Sequence, residues 1–242
     1  MRRYPCTWLG GLAGAIAFLS LLMNPRAAEP AADAYTPVAP PPAVHAAVRD
    51  NLKTVEDWID RKDFASAAES SHSIAALAHL CTYQGSEPAW KDKTASLLDA
   101  SSRLATAIRG KDAAACAKQI QQCNRLLDEL AKTTPGDRIA DKKFKLQGSN
   151  KTWMLLMDDA VTEGLKAKKA EDLELLAGAL AEEANAMQFM RTDARWRQWF
   201  QEIRTAALEA SDKAKAKDLD AARVTLKSAY QRCQACHDTS RR

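Results

Sequence analysis

Proline and glycine are scarce where turns would need them. The chain has 242 residues with 9 of each. Pro5, Pro25, Pro30, Pro37, Pro40, Pro41 and Pro42 all fall at the N-terminal end, and only Pro88 and Pro135 interrupt the remaining 200 residues. A fold of many short strands and tight turns is excluded by that distribution. Charge of one sign is lacking too. The net charge of +4 comes mostly from Arg2, Arg3 and Arg26, and the chain after residue 27 holds 32 basic against 31 acidic side chains. No basic footprint for nucleic acid survives. Long apolar runs are missing as well. The longest, Trp8 to Met23, spans 16 residues, short of the roughly 20 that a membrane-spanning helix needs.

The residues present in abundance are helix-forming. Ala, Leu, Lys, Glu, Asp and Gln dominate, and all are good or tolerated in helices. An all-α body is expected. Residues 1–27 have the secretory pattern: Arg2 and Arg3, the apolar run, then small residues around Ala27 and Ala28. A cleaved signal peptide is expected, with an uncleaved anchor as the other outcome, and the destination is the periplasm or another exported space. No stable membrane span is expected once the signal is removed. Residues 28–43 are Ala- and Pro-rich and read as an extended, solvated spacer.

From Val44 onward apolar residues recur at helical spacing, as in Val48, Leu52, Val55 and Ile59, or Met154, Met157, Val161 and Leu165. Helices are predicted near 44–61, 64–82, 88–109, 111–132, 150–168, 171–190, 193–215 and 218–238. Gly85 with Pro88, Gly110, Pro135-Gly136 and Gly148-Ser149 mark the breaks, and Ser149 or Asn150 can cap the next helix. One ungapped shift of 106 residues aligns Trp90 with Trp196, Lys111-Asp112 with Lys217-Asp218, Val55 with Val161, Tyr83 with Phe189 and Leu97 with Ile203. The chain therefore reads as two tandem up-down four-helix bundles, 44–134 and 150–242, joined by a linker at 135–149. One continuous helical domain is the alternative.

The chemistry is concentrated at the C-terminus, in Cys233-Gln-Ala-Cys236-His237. Cys-x-x-Cys-His is the pattern of covalent c-type haem attachment. On a helix, thiols at i and i+3 share a face and can both form thioethers to one haem, and His237 is then placed as the proximal iron ligand. A zinc site would need about four ligands, and residues 150–242 hold no other Cys or His. A thioredoxin-like pair would need a βαβ context. A disulfide between Cys233 and Cys236 would leave His237 unexplained.

An exported four-helix bundle with this motif in its last helix resembles cytochrome c′, the class II c-type cytochromes. The resemblance covers residues 150–242, and reaches 44–132 only through the internal repeat. It implies one covalently bound haem c between the helices. The first helix of such a bundle faces the distal side of the haem, and here it reads Trp153-Met154-Leu155-Leu156-Met157. That segment, with Glu171-Asp172-Leu173 beyond it, is similar to the methionine-ligated branch and implies Met154 as distal ligand. Met157, one turn on, is the second candidate, and both methionines as core filler is the third reading. Trp153, Trp196 and Phe200 are candidates for the pocket wall.

The favoured function is electron transfer by an exported monohaem cytochrome, not an enzyme, with protein redox partners. The alternative is a five-coordinate cytochrome c′ that binds or senses NO or CO. Under the 106-residue shift Met154 falls on Val48, and Cys233, Cys236 and His237 fall on Leu127, Leu130 and Ala131. The first bundle should hold no haem and have a filled apolar core. It could serve as a docking module, or the tandem could mimic a dimer within one chain.

Cys81, Cys116 and Cys123 lie in that haem-free half. A bridge from Cys81 to Cys116 or Cys123 is open, with buried free thiols the more ordinary outcome. His45, His72 and His79 read as surface or capped residues rather than a metal cluster. The lysines at 166, 168, 169, 213, 215 and 217 read as solvated helix ends, favourable near the helix C-terminus and suited to steering an acidic redox partner. No Gly-rich phosphate loop, catalytic triad or paired-carboxylate pocket is evident.

Overall fold

The computed structural model describes residues 34–240, with side chains through residue 235. The expected signal peptide at 1–27, the expected spacer as far as residue 33 and the side chains of Cys236 and His237 lie outside the described residues. Eight helices and no strand occur among those described: α1 Pro41–Asp60, α2 Phe64–Cys81, α3 Pro88–Arg109, α4 Ala113–Ala131, α5 Asn150–Lys166, α6 Ala170–Met187, α7 Ala194–Lys215 and α8 Leu219–Ser240. The protein is all-α. Helix α1 begins earlier than its apolar periodicity indicates, because Pro41 and Pro42 occupy the first turn. Proline is pre-set for that position, where its missing N–H is no loss.

Side-chain caps mark four of the other starts. Asp63 accepts from the Ser66 amide at 3.0 Å, Asp112 from Ala115 at 2.9 Å, Ser149 from Thr152 at 3.1 Å and Asp193 from Trp196 at 2.7 Å. Each satisfies a donor that the first helical turn leaves orphaned.

The 106-residue offset seen in the residue pattern recurs in the geometry. Helices α2 and α6 start and stop at that offset, as do α3 and α7, and α4 and α8 begin at it. Lys111 and Lys217 both take left-handed backbone, at φ 53° and 66°. The Trp90 indole donates to the Cys81 carbonyl at 2.9 Å, and the Trp196 indole to the Met187 carbonyl at 2.8 Å. Asp218 repeats the Asp112 cap, accepting from Ala221 at 3.1 Å.

Helices α1 to α4 pack in succession, with α4 closing back on α1, and α5 to α8 do the same, with α8 closing on α5. Between the two sets α1 lies on α6 and α2 on α5. Those two crossings exchange under the repeat, which is the signature of an isologous, two-fold-like interface. At the α1–α6 crossing, a Cβ built on Gly178 would stand 2.8 Å from the Ala43 Cβ, so only glycine permits this approach.

Residues 34–40 depart from the solvated spacer that their composition predicts. Tyr35 and Ala39 are fully buried. Tyr35 exchanges backbone hydrogen bonds with Asp141 of the 135–149 segment, at 3.0 and 2.8 Å. Its ring stacks on Phe144 at 4.0 Å and is met edge-on by Tyr83 at 5.2 Å and Phe189 at 5.8 Å, two residues related by the repeat. Arg138 donates to the carbonyls of Pro37, Val38 and Ala39 at 2.8, 3.2 and 3.0 Å. On the other side the Glu182 carboxylate accepts from the Tyr35 hydroxyl at 2.5 Å and from the amides of Val38 and Ala39 at 2.8 Å each. Composition does not reveal this because Ala and Pro have little area to bury, whereas here the backbone itself is held.

Tyr35→Phe keeps the ring stack and removes one donor from the buried Glu182. The expected cost is about 1–3 kcal/mol of unfolding free energy, read from the denaturation midpoint in urea.

Candidate functional site

The residues with candidate chemistry meet in the second set of helices. A cavity of about 30 Å³ lies between α5, α7 and α8, lined by Met154, Met157, Asp158 and Val161 from α5, Phe200 and Ile203 from α7, and Tyr230, Cys233 and Gln234 from α8. Helical spacing puts Met154, Met157, Asp158 and Val161 on one side of α5, and Tyr230 and Cys233 meet on α8 for the same reason. Gly164 sets how near α8 can come: a Cβ there would lie 2.6 Å from the Leu226 Cδ2. Met157 is buried, Met154 and Cys233 are half-buried. The backbone of α8 continues through Cys236 and His237.

Of the three proposed wall residues, Phe200 lines this cavity. Trp153 and Trp196 do not. The Trp153 indole donates to the Gln147 carbonyl at 2.6 Å, which ties α5 to the preceding linker. Trp196 is held by the Met187 carbonyl, by the Phe200 ring at 4.7 Å and by the Arg191 guanidinium at 4.3 Å. Trp196 has Trp90 as its counterpart with the same hydrogen bond, so its role belongs to the shared frame. Tyr230, Val161, Ile203 and Asp158 join the lining without having been expected there, although the spacing from Tyr230 to Cys233 points to the first.

In the first set of helices the positions matching Met154, Cys233, Cys236 and His237 carry no ligand, and all but the exposed Ala131 are packed hydrocarbon. Val48, Leu127 and Leu130 are buried. Cys81, Cys116 and Cys123 are buried and unbridged, and burial pushes the Cys81 and Cys123 thiols up to about 12. The three histidines are apart. His45 is buried and stacked on Trp90 at 5.6 Å, with burial first and Arg49 second lowering it to about 4. His79 packs edge-on against Tyr83 at 5.3 Å. His72 is exposed. No group of three or more His, Cys, Asp or Glu side chains converges as a metal site would require among the described residues.

A second, larger cleft corrects the reading that no carboxylate pocket exists. It has a volume of about 710 Å³ between α1, α5 and α6, and Asp50, Asp159, Glu163, Asp172 and Glu183 line it. Its one basic lining residue, Lys166, pairs with Glu163 at 2.9 Å. Glu183 is 1% exposed and its Oε2 has no hydrogen-bond partner. Burial, then the charges of Asp159 and Glu182, raise its carboxyl well above the usual range. Burial also raises Asp159, reinforced by Asp158 and Glu163. Acids in an Ala-rich helix read as solvated, yet α6 is buried all round from Ala177 to Met187.

The lysines expected at solvated ends are in part paired: Lys213 with Glu209 at 2.7 Å, and Lys217 with Glu171. No helix among the described residues is long and apolar enough to cross a membrane. Comparison with known protein families, curated proteins and solved structures finds no match for the chain.

Because the Glu183 carboxyl is raised in the folded state, the stability it contributes is full below the ordinary glutamate range and is lost as pH climbs through the raised value. Unfolding free energy should therefore fall from mildly acidic toward neutral pH. Glu183→Gln should flatten that fall and leave the variant at least as stable as the parent at neutral pH, measured by urea midpoints across the range. A steeper fall in the variant would contradict the assignment.

Proposed function

We propose that residues 150–242 form a cytochrome c′-like haem bundle, that the protein is an exported electron carrier, and that residues 44–134 are its haem-free duplicate. The observation that carries the proposal is the shared cavity. Cys233, the first thiol of the attachment motif, lines the same apolar space as Met154 and Met157 on the facing helix. The resemblance that the motif carries implies a distal ligand on the first helix of the bundle, and the meeting of Cys233 with both methionines across one cavity supports that arrangement.

The fit of the group can be tested on the lining. Val161, Phe200, Ile203 and Tyr230 offer the apolar surface that a porphyrin face requires, and Cys233 offers a thiol at its edge. At about 30 Å³ the space holds a water rather than a macrocycle, so haem entry requires α8 to part from α5 and α7. The donor set fits haem c and does not fit zinc.

Cys233 and Cys236 would hold the haem covalently, His237 would ligate its iron on the proximal side and Met154 on the distal side. Bound there, haem supplies a one-electron iron couple, whose potential a thioether ligand raises. The chain's own part is to keep water out with Val161, Phe200 and Ile203, and to tune polarity with Asp158 and Tyr230 at the cavity. The duplicate half supports the reading by contrast, since Val48, Leu127 and Leu130, which match Met154, Cys233 and Cys236, are buried aliphatic residues. The two-fold-like crossing of α1 on α6 and α2 on α5 suits a dimer fused into one chain. Residues 1–27 act in this proposal as the export signal, placing the protein in the periplasm, where the attachment chemistry operates.

The absorption spectrum of the purified ferric holoprotein tests this, followed by carbon monoxide added to the ferrous form. A low-spin spectrum with a methionine–iron charge-transfer band, insensitive to carbon monoxide, is expected. A high-spin spectrum with ready carbon monoxide binding would instead support the gas-binding reading. Met154→Ala should convert the first behaviour to the second; the same conversion by Met157→Ala alone would move the ligand to Met157. One haem per chain is expected, and two would overturn the haem-free half.

A further inference from the structure

Glu183 stands where the fold elsewhere accepts a hydrocarbon. Its counterpart under the 106-residue repeat is Leu77, equally buried at 1% exposure. The helical frame therefore has no need of a carboxyl at this position. Leaving one buried without a partner for Oε2 costs free energy that a leucine would not. Such a group is accounted for by something that enters the cleft and pairs with it.

We propose that the cleft between α1, α5 and α6 binds an aliphatic polyamine, with Glu183 at its floor and Asp50, Asp159, Glu163 and Asp172 along its sides pairing with the ammonium groups. The sign of the ligand follows from five lining carboxylates against one lysine that is itself paired. An anion or a neutral polar molecule would leave that field unanswered. The volume of about 710 Å³ falls in the range of small-molecule sites, roughly 300–1,000 Å³.

The spread of the charges separates a polyamine from a metal ion. A hard divalent cation collects about six oxygens at roughly 2.0–2.6 Å, and no three candidate ligands converge among the described residues. On α6 alone, Asp172 and Glu183 are separated by three helical turns, about 16 Å along the axis. A ligand that answers both must carry its charges on a chain. Between them the cleft presents Leu156, Leu175, Leu176 and Ala179, apolar surface against which methylene segments can lie while their charged ends reach the carboxylates.

The cleft is distinct from the haem site in its lining. Neither methionine of the cavity nor Cys233 belongs to it, and the inference does not rest on haem binding.

Isothermal titration of the purified full-length protein with spermidine tests the proposal, with magnesium and calcium chloride as parallel titrants at matched ionic strength. Saturable spermidine binding is expected, at least about tenfold tighter than either metal, the worth of one charge-assisted contact. Glu183→Gln should weaken spermidine by about tenfold or more while the ligand-free melting temperature is unchanged or higher. A purely structural glutamate would show the reverse, a lower melting temperature with affinity retained. The double variant D159N/D172N leaves the buried Glu183 in place and should also weaken binding; it carries the test if Glu183→Gln does not fold. Absence of saturable heat with spermidine, magnesium or calcium binding as tightly, or parental affinity in the variant that folds would each overturn the proposal.

Discussion

The assembly of the two halves depends on one buried carboxylate. Glu182 sits in α6, away from water, where an ionised group is tolerated only if several donors reach it. Those donors are the Tyr35 hydroxyl and the amides of Val38 and Ala39, and the chain must bring residues 35–39 back across the molecule to supply them. Burial raises the Glu182 carboxyl, and these hydrogen bonds offset part of that rise. Once the strap is seated, its own carbonyls need partners, which Arg138 and Asn185 provide. The 135–149 segment is then pinned to the strap by Asp141 and Phe144. A set of polar groups, each too costly to bury alone, closes on itself at the junction of the halves.

Duplication explains which parts of the structure are legible in the sequence. Helix ends follow from prolines, caps and a repeated Lys-Asp pair, and these are local signals that packing does not override. The meeting of Cys233 with Met154 and Met157 is expected from the resemblance that the C-terminal motif carries, while helical spacing by itself puts the two methionines on one side of α5. Trp153 and Trp196 mislead through their size and position. An indole N–H seeks a carbonyl when buried, and both find one in the backbone, at Gln147 and Met187. The Trp90 counterpart is visible in the sequence and marks Trp196 as part of the shared frame.

The strap and the acidic cleft are not legible, for different physical reasons. Nothing in Tyr35 to Pro40 has periodicity, and its burial depends on partners more than a hundred residues away. The Glu182-Glu183 pair looks like any charged step on an alanine-rich helix. The informative comparison is with Ala76 and Leu77, both buried in the other half: acids replacing hydrocarbon at buried positions depart from the repeat as sharply as the Cys-x-x-Cys-His motif does. Of the residues that distinguish the two sets of helices, the carboxylates of the cleft lie mainly on α5 and α6, and the thiols and histidine of the motif lie on α8.

The strap also bears on the order of events in folding. Tyr35 and Glu182 are 147 residues apart in sequence, so their contact closes a loop embracing most of the helices. Closing a loop of that length carries an entropic cost that grows with the logarithm of its span, and contacts of such separation form late. The strap is made well before its acceptor. Until α6 has emerged and packed, the Tyr35 hydroxyl and the Val38 and Ala39 amides lack the Glu182 carboxylate that receives them. Tyr35 is therefore the latch of the molecule, made early, fastened at the end, and positioned to report by its ring environment when both halves have come together.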